Sequence, residues 1–232
     1  DRTDKEDRSS RHLILLAKDP VGYSNLIKLI SIGFLEGFYY KPRVDKEVLS
    51  RYNKGIIALS ACLKGEVSHF LISDQHKQAR KALSEYSEIF GKGNFYLEIM
   101  QNGLPEQTQA NEGLRALGRR LDLPLVATND CHYLERKDAE AHEVLLCIQT
   151  GKTLGDADRM RFATDAFYFR SPDEMCALFA ECPEAIANTA AIAERCRYQF
   201  DFGKFYLPHF SLEADETLDE RLERSAHEGL EA

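Results

Sequence analysis

The stretch Leu125-Val126-Ala127-Thr128-Asn129-Asp130-Cys131-His132-Tyr133 runs from apolar and β-branched residues into three polar side chains within four positions. Placed directly after Leu123-Pro124, it reads as a strand buried on both faces whose end delivers side chains. Residues two apart on an extended chain point the same way, so Asp130 and His132 share one face and Asn129 and Cys131 the other. A carboxylate beside an imidazole is half a metal site or an acid/base pair. The same spacing also serves as a helix cap beside a surface histidine, and the motif alone does not choose between these readings.

Such a pair does chemistry only where rigid elements hold it. His12-Leu13-Ile14-Leu15-Leu16-Ala17, stopped by Asp19-Pro20 and Gly22, reads as a first buried strand. Leu26, Ile27, Leu29, Ile30 and Phe34 then fall at helical spacing and predict an amphipathic helix closing near Gly37. Phe38 to Arg43 is extended because of Pro42, and Asp45 caps a short helix. Gly55 to Cys62 is a second buried strand, broken by Leu63-Lys64-Gly65-Glu66, and His76 to Phe90 is a helix ended by Gly91 and Gly93. Asn94 to Met100 is a third strand, with Tyr96 and Glu98 on one face. Glu98 reads as a structural residue there, and Cys62, taken alone, as a core thiol. Pro105 opens a helix through Leu114, Leu117 and Leu121 that leads into the strand before Asp130. Strand and helix alternate at about thirty residues per unit, which predicts a parallel sheet or an α/β barrel with its chemistry at the carboxyl ends of the strands.

Composition narrows the class. The 232 residues are 44% hydrophobic and 29% charged, as expected of a globular α/β chain with one main core. There is no run of eighteen apolar residues and no charged-then-apolar leader, so the expectation is a cytoplasmic protein with no membrane partner. Six cysteines without a Cys-x-x-Cys pair argue against a zinc ribbon, a redox dithiol and a disulfide framework. A net charge of −8 repels phosphate backbones, so any contact with nucleic acid must be local, metal-mediated or supplied by a partner.

Residues 1–11 form a polar tail or loop, and the lack of a starting Met suggests a piece of a longer chain. Beyond Tyr133, residues 138–148 form a helix in which His142 reads as structural. Gly151-Lys152-Thr153 is not a phosphate loop, because the preceding glycine and the leading strand are missing. Residues 165–170 are a short extended piece. Ser171-Pro172-Asp173-Glu174 is a capping box opening a helix, Pro183 opens another, residues 205–210 are an extended exit, and residues 217–232 form a charged amphipathic helix.

Five segments taken together resemble a known family: His12 to Ala17 with Gly22-Tyr23-x-Asn25-Leu26, Gly37 to Arg43, Leu59 to Glu66, Ala127 to Tyr133, and His142 to Leu154. They are similar to the polymerase-and-histidinol-phosphatase (PHP) domain of bacterial DNA polymerase III alpha subunits, over residues 12–210. The resemblance implies a distorted seven-stranded α/β barrel, TIM-barrel-like and truncated at its N-terminal side, over residues 12–205, with 206–232 leading to the polymerase core. In the family nine ligands hold up to three divalent metals. Four of them match His12, Cys62, Asp130 and His132, and the other five belong upstream of Asp1. Imidazole, thiolate and carboxylate together favour zinc, with manganese and iron as alternatives.

The resemblance further implies a parent that synthesises DNA with carboxylates outside this chain, and a PHP domain able to hydrolyse phosphodiesters as a metal-dependent 3′–5′ exonuclease. The alternative is a non-catalytic platform that stabilises the polymerase and docks a separate proofreading exonuclease subunit, with DNA and other replicase subunits as partners of the parent. A free-standing phosphoesterase shares the domain but fits poorly with Tyr206-Leu207-Pro208-His209-Phe210 and the helix that follows.

Overall fold

The computed structural model describes residues 2–6, 9–212 and 215–231. The chain forms two compact units, Asp1–Tyr198 and Gln199–Ala232, taken here separately. In the first, β1 (Ile14–Ala17), β2 (Ile56–Leu59), β3 (Phe95–Met100) and β4 (Leu125–Thr128) make one sheet in the order β1-β2-β3-β4. Every residue of β2 and β3 is buried, β2 as an unbroken apolar run and β3 as one interrupted only by Glu98.

β2, β3 and β4 are parallel, joined by helical crossovers, but β1 pairs with β2 antiparallel, with Ile14 opposite Leu59 and Ala17 opposite Ile56. This corrects the expectation of parallel pairing throughout. The connection explains it: α1 (Pro20–Leu35), the turn at Pro42 and α2 (Lys46–Arg51) bring the chain back to the end where β1 finished. There the Lys18 N–H donates to Gly55 O at 2.8 Å, and a Cβ on Gly22 would lie 1.9 Å from that same oxygen. The consequence is functional. Antiparallel pairing puts the beginning of β1, and so His12, at the end where β2, β3 and β4 leave the sheet.

The larger core fills one sheet face with Ile56, Ala58, Phe95, Leu97 and Ile99, packed with residues of α3 (Glu66–Ile72), α4 (His76–Phe90) and α5 (Pro105–Leu121). The helix α3 stands where the sequence indicated only a break. On the other face Ile57, Leu59, Tyr96 and Val126 meet Ile192 of α8 (Pro183–Arg195). That helix lies along the edge strand β4, where Asn188 Nδ2 donates to Leu125 O at 2.7 Å. Between them come α6 (Ala139–Thr150) and α7 (Pro172–Leu178). The capping box is formed, with the Glu174 N–H donating to Ser171 Oγ at 3.2 Å and the Ser171 N–H to Glu174 Oε2 at 2.8 Å. Arg2, in the expected polar tail, pairs with Asp45 and Glu36.

In the second unit α9 (Leu218–Glu231) is the one helix among the described residues. Thr217 opens it, its Oγ1 accepting from the Glu220 N–H at 3.3 Å. The expected helix end, Ala232, lies outside the described residues. Among those residues no helix is long and apolar enough to cross a membrane.

Candidate metal centre

His12 stands two residues before β1, bridged to the turn after β2: its N–H donates to Lys64 O at 3.0 Å. Its Nδ1 comes to 3.8 Å from Cys62 Sγ. Cys62 follows Ala61, which holds φ +64, a left-handed conformation that costs a residue with a Cβ about 1–2 kcal/mol. Burial pushes the Cys62 thiol above its ordinary value, and the charges of Asp130 and Glu98 push it further. The group is therefore a thiol at neutral pH, and a metal binding there displaces its proton.

The second pair lies beyond β4, which ends at Thr128. Asp130 has φ +53, so the backbone is not extended through it and the shared-face argument does not hold. The pair meets for another reason. The His132 N–H donates to Phe167 O at 2.8 Å, and Phe162 and Phe167 present their ring edges or faces to the imidazole at 4.7 and 5.7 Å between centroids. This packing turns His132 Nε2 to 3.5 Å from Asp130 Oδ1. His142, read as structural, joins the same cluster, its ring 5.6 Å from that of His132.

Both pairs fit a divalent ion by donor chemistry and by span. Two ligands of a tetrahedral zinc ion, at about 2.3 Å for sulfur and about 2.1 Å for nitrogen or oxygen, sit roughly 3.6 Å apart for S and N and roughly 3.4 Å apart for N and O. The spans here are 3.8 and 3.5 Å. No group of three or more His, Cys, Asp or Glu among the described residues converges on one point. The sheet end thus brings the four residues together as two pairs, and each ion would need further donors such as water.

Sequence reasoning missed what braces these turns. Asn102, fully buried after β3, donates through Nδ2 to Asn129 O and Ala166 O, both at 2.9 Å, and so fixes the residue before Asp130. Gln107 Oε1 in turn accepts from the Asn102 N–H at 2.6 Å. Two amide side chains five residues apart at the mouth of a helix carry no signal beyond their polarity. Glu98, 6% exposed on the inner strand β3, accepts at Oε1 from the Thr128 hydroxyl at 2.6 Å. Arg170 donates to Asn129 Oδ1 and further pins that turn.

A profile of the PHP domain matches residues 2–102. DNA polymerase III subunit alpha of Borreliella burgdorferi is 41% identical over 231 residues, covering 99% of this chain and 20% of that protein. Over residues 2–102 the chain is thus similar to the PHP domain family. Subunit alpha of Thermus aquaticus is 43% identical over 225 residues, covering 94% of this chain and 18% of that protein, and subunit alpha of Aquifex aeolicus is 36% identical over 233 residues, covering 97% and 20%. The chain spans about a fifth of the length of these relatives.

Proposed function

We propose that this chain is the metal-binding part of a replicative DNA polymerase III alpha subunit, working in the cytoplasm, and that its metal centre hydrolyses phosphodiesters at DNA 3′ ends. The observation that carries the reading is the gathering of His12, Cys62, Asp130 and His132 at one sheet end, in pairs whose spans suit a metal ion. The bound metal, zinc before manganese or iron, supplies a Lewis acid and a hydroxide at neutral pH. The residues of the chain do the rest. His12 and Cys62 give a soft N/S pair, Asp130 adds the negative charge that draws in a cation, and Phe162 and Phe167 hold the His132 ring against Asp130. In the parent these elements close into the seven-stranded PHP barrel, residues 206–232 lead to the polymerase core, and the carboxylates for nucleotide addition lie outside this chain, which by itself does not polymerise.

A second reading is a platform that stabilises the polymerase and docks a separate proofreading exonuclease subunit and other replicase subunits. The two readings part in a protein of the relatives' length that carries this chain. Under the first, Asp130→Asn abolishes zinc-dependent shortening of a 3′-labelled single strand and leaves primer extension intact. Shortening that is absent from the parent, or equal in parent and variant, contradicts it.

A further inference from the structure

The sheet end that carries the candidate ligands has a buried carboxylate at its centre. Glu98 lies on β3, between the strand that leads to Cys62 and the strand that leads to Asp130. Its neighbours on that face, Tyr96, Leu59 and Val126, are apolar, and a carboxylate among them is costly unless it is compensated. Its bonds run to both sides. The Glu98 N–H donates to Ser60 Oγ at 2.8 Å, and Oε1 accepts from Thr128 Oγ1 at 2.6 Å. Ser60 directly precedes the left-handed Ala61 and then Cys62, and Thr128 stands two residues before the left-handed Asp130. Both strained turns are therefore anchored on one residue. The second oxygen, Oε2, is buried without a partner among the described residues, and Glu98 lines a cavity of about 10 Å³ together with Cys62, Ser68, Gln107 and Asn111. That is the room of a single water.

We propose that Glu98 is a positioning residue for the metal centre, its backbone N–H reaching Ser60 and its carboxylate reaching Thr128, so that it joins the two strand-end turns and sets the separation of the His12–Cys62 and Asp130–His132 pairs. A purely structural residue here would match its apolar neighbours. The inference rests on the metal-binding reading for its purpose but not for its geometry, and the test separates the two.

The test compares Glu98→Leu and Glu98→Gln in the 232-residue chain by amide hydrogen exchange of residues 60–62 and 128–132 and by titration with cobalt(II), whose charge-transfer band reports a Cys62 thiolate bond. Glu98→Leu is expected to speed exchange in residues 128–132, more than in residues 60–62 whose bond to the Glu98 backbone N–H it keeps, and to weaken cobalt binding by about 10-fold or more, the usual effect of losing a residue that orients a ligand. Glu98→Gln keeps the acceptor for Thr128 and restores both towards wild type. Thr128→Val, which removes the hydroxyl with little change of shape, reproduces the loss in residues 128–132 if Glu98→Leu does not fold. Wild-type exchange in residues 128–132 of Glu98→Leu, or of Thr128→Val in its place, overturns the proposal, as does a glutamine variant no better than leucine. Loosened segments in a chain that takes up no cobalt even as wild type leave the joining role standing and overturn the metal-binding reading instead.

Discussion

Glu98 shows what one residue can hide from a sequence. Its position in an apolar run marked it as buried, but its two-sided bonding depends on Ser60 and Thr128, which are 38 and 30 residues away. Burial, set against the help of the Thr128 hydroxyl and the Ala61 amide, raises its carboxyl above the ordinary carboxylate value, and the Asp130 charge raises it further. A carboxyl whose value rises on folding contributes stability that is full below its unfolded value and is lost as pH climbs through the folded one. The wild-type chain should therefore lose stability as pH rises out of the ordinary carboxylate range, and Glu98→Gln should lack that decline. Urea melts across a pH series measure it, and parallel curves for the two proteins would contradict it. Asp130 and His132, by contrast, were legible as a pair because they are close in sequence, although the left-handed Asp130 shows that the meeting is made by the Phe167 contact and not by strand alternation.

Elements with strong punctuation were readable from sequence. Asp45, Pro105, Ser171-Pro172 and Pro183 each open a helix as expected, since a cap or an N-terminal proline acts within one turn and needs no distant partner, whereas Asp19-Pro20, read only as the stop of a strand, also opens α1. α3 escaped because seven residues are too few to display a helical period. The direction of β1 escaped for a different reason. It is decided by the approach of Gly22 to Gly55, a contact between residues 33 apart in sequence that no local pattern reports. Because the Cβ of an alanine at Gly22 would strike Gly55 O, Gly22→Ala should destabilise the chain by about 1–3 kcal/mol, the cost of overpacking a tight contact. At about 2–4 °C per kcal/mol for this size, a thermal melt should fall by several degrees. An unchanged melt would mean that the two turns do not hold each other.

At the scale of the whole molecule, the fold class was legible because alternating strands and helices leave few ways to bury both faces of a sheet. The sheet has β1 at one edge, with Ile14 40% exposed, and the outer side of α1 shows Ile27, Ile30 and Phe34 about half exposed. An edge strand beside apolar surface invites pairing with another chain. The apparent mass of the isolated chain in sedimentation should rise with concentration, and a monomer of constant mass at every concentration would count against this.

The central claim is that His12, Cys62, Asp130 and His132 are brought together to hold a metal, and the metal content of the purified chain tests it most directly. Chain purified with zinc present should retain about one zinc per molecule after dialysis, and the Cys62→Ala, His132→Ala double variant should retain none. Equal zinc in both proteins, or none in either, would contradict the claim.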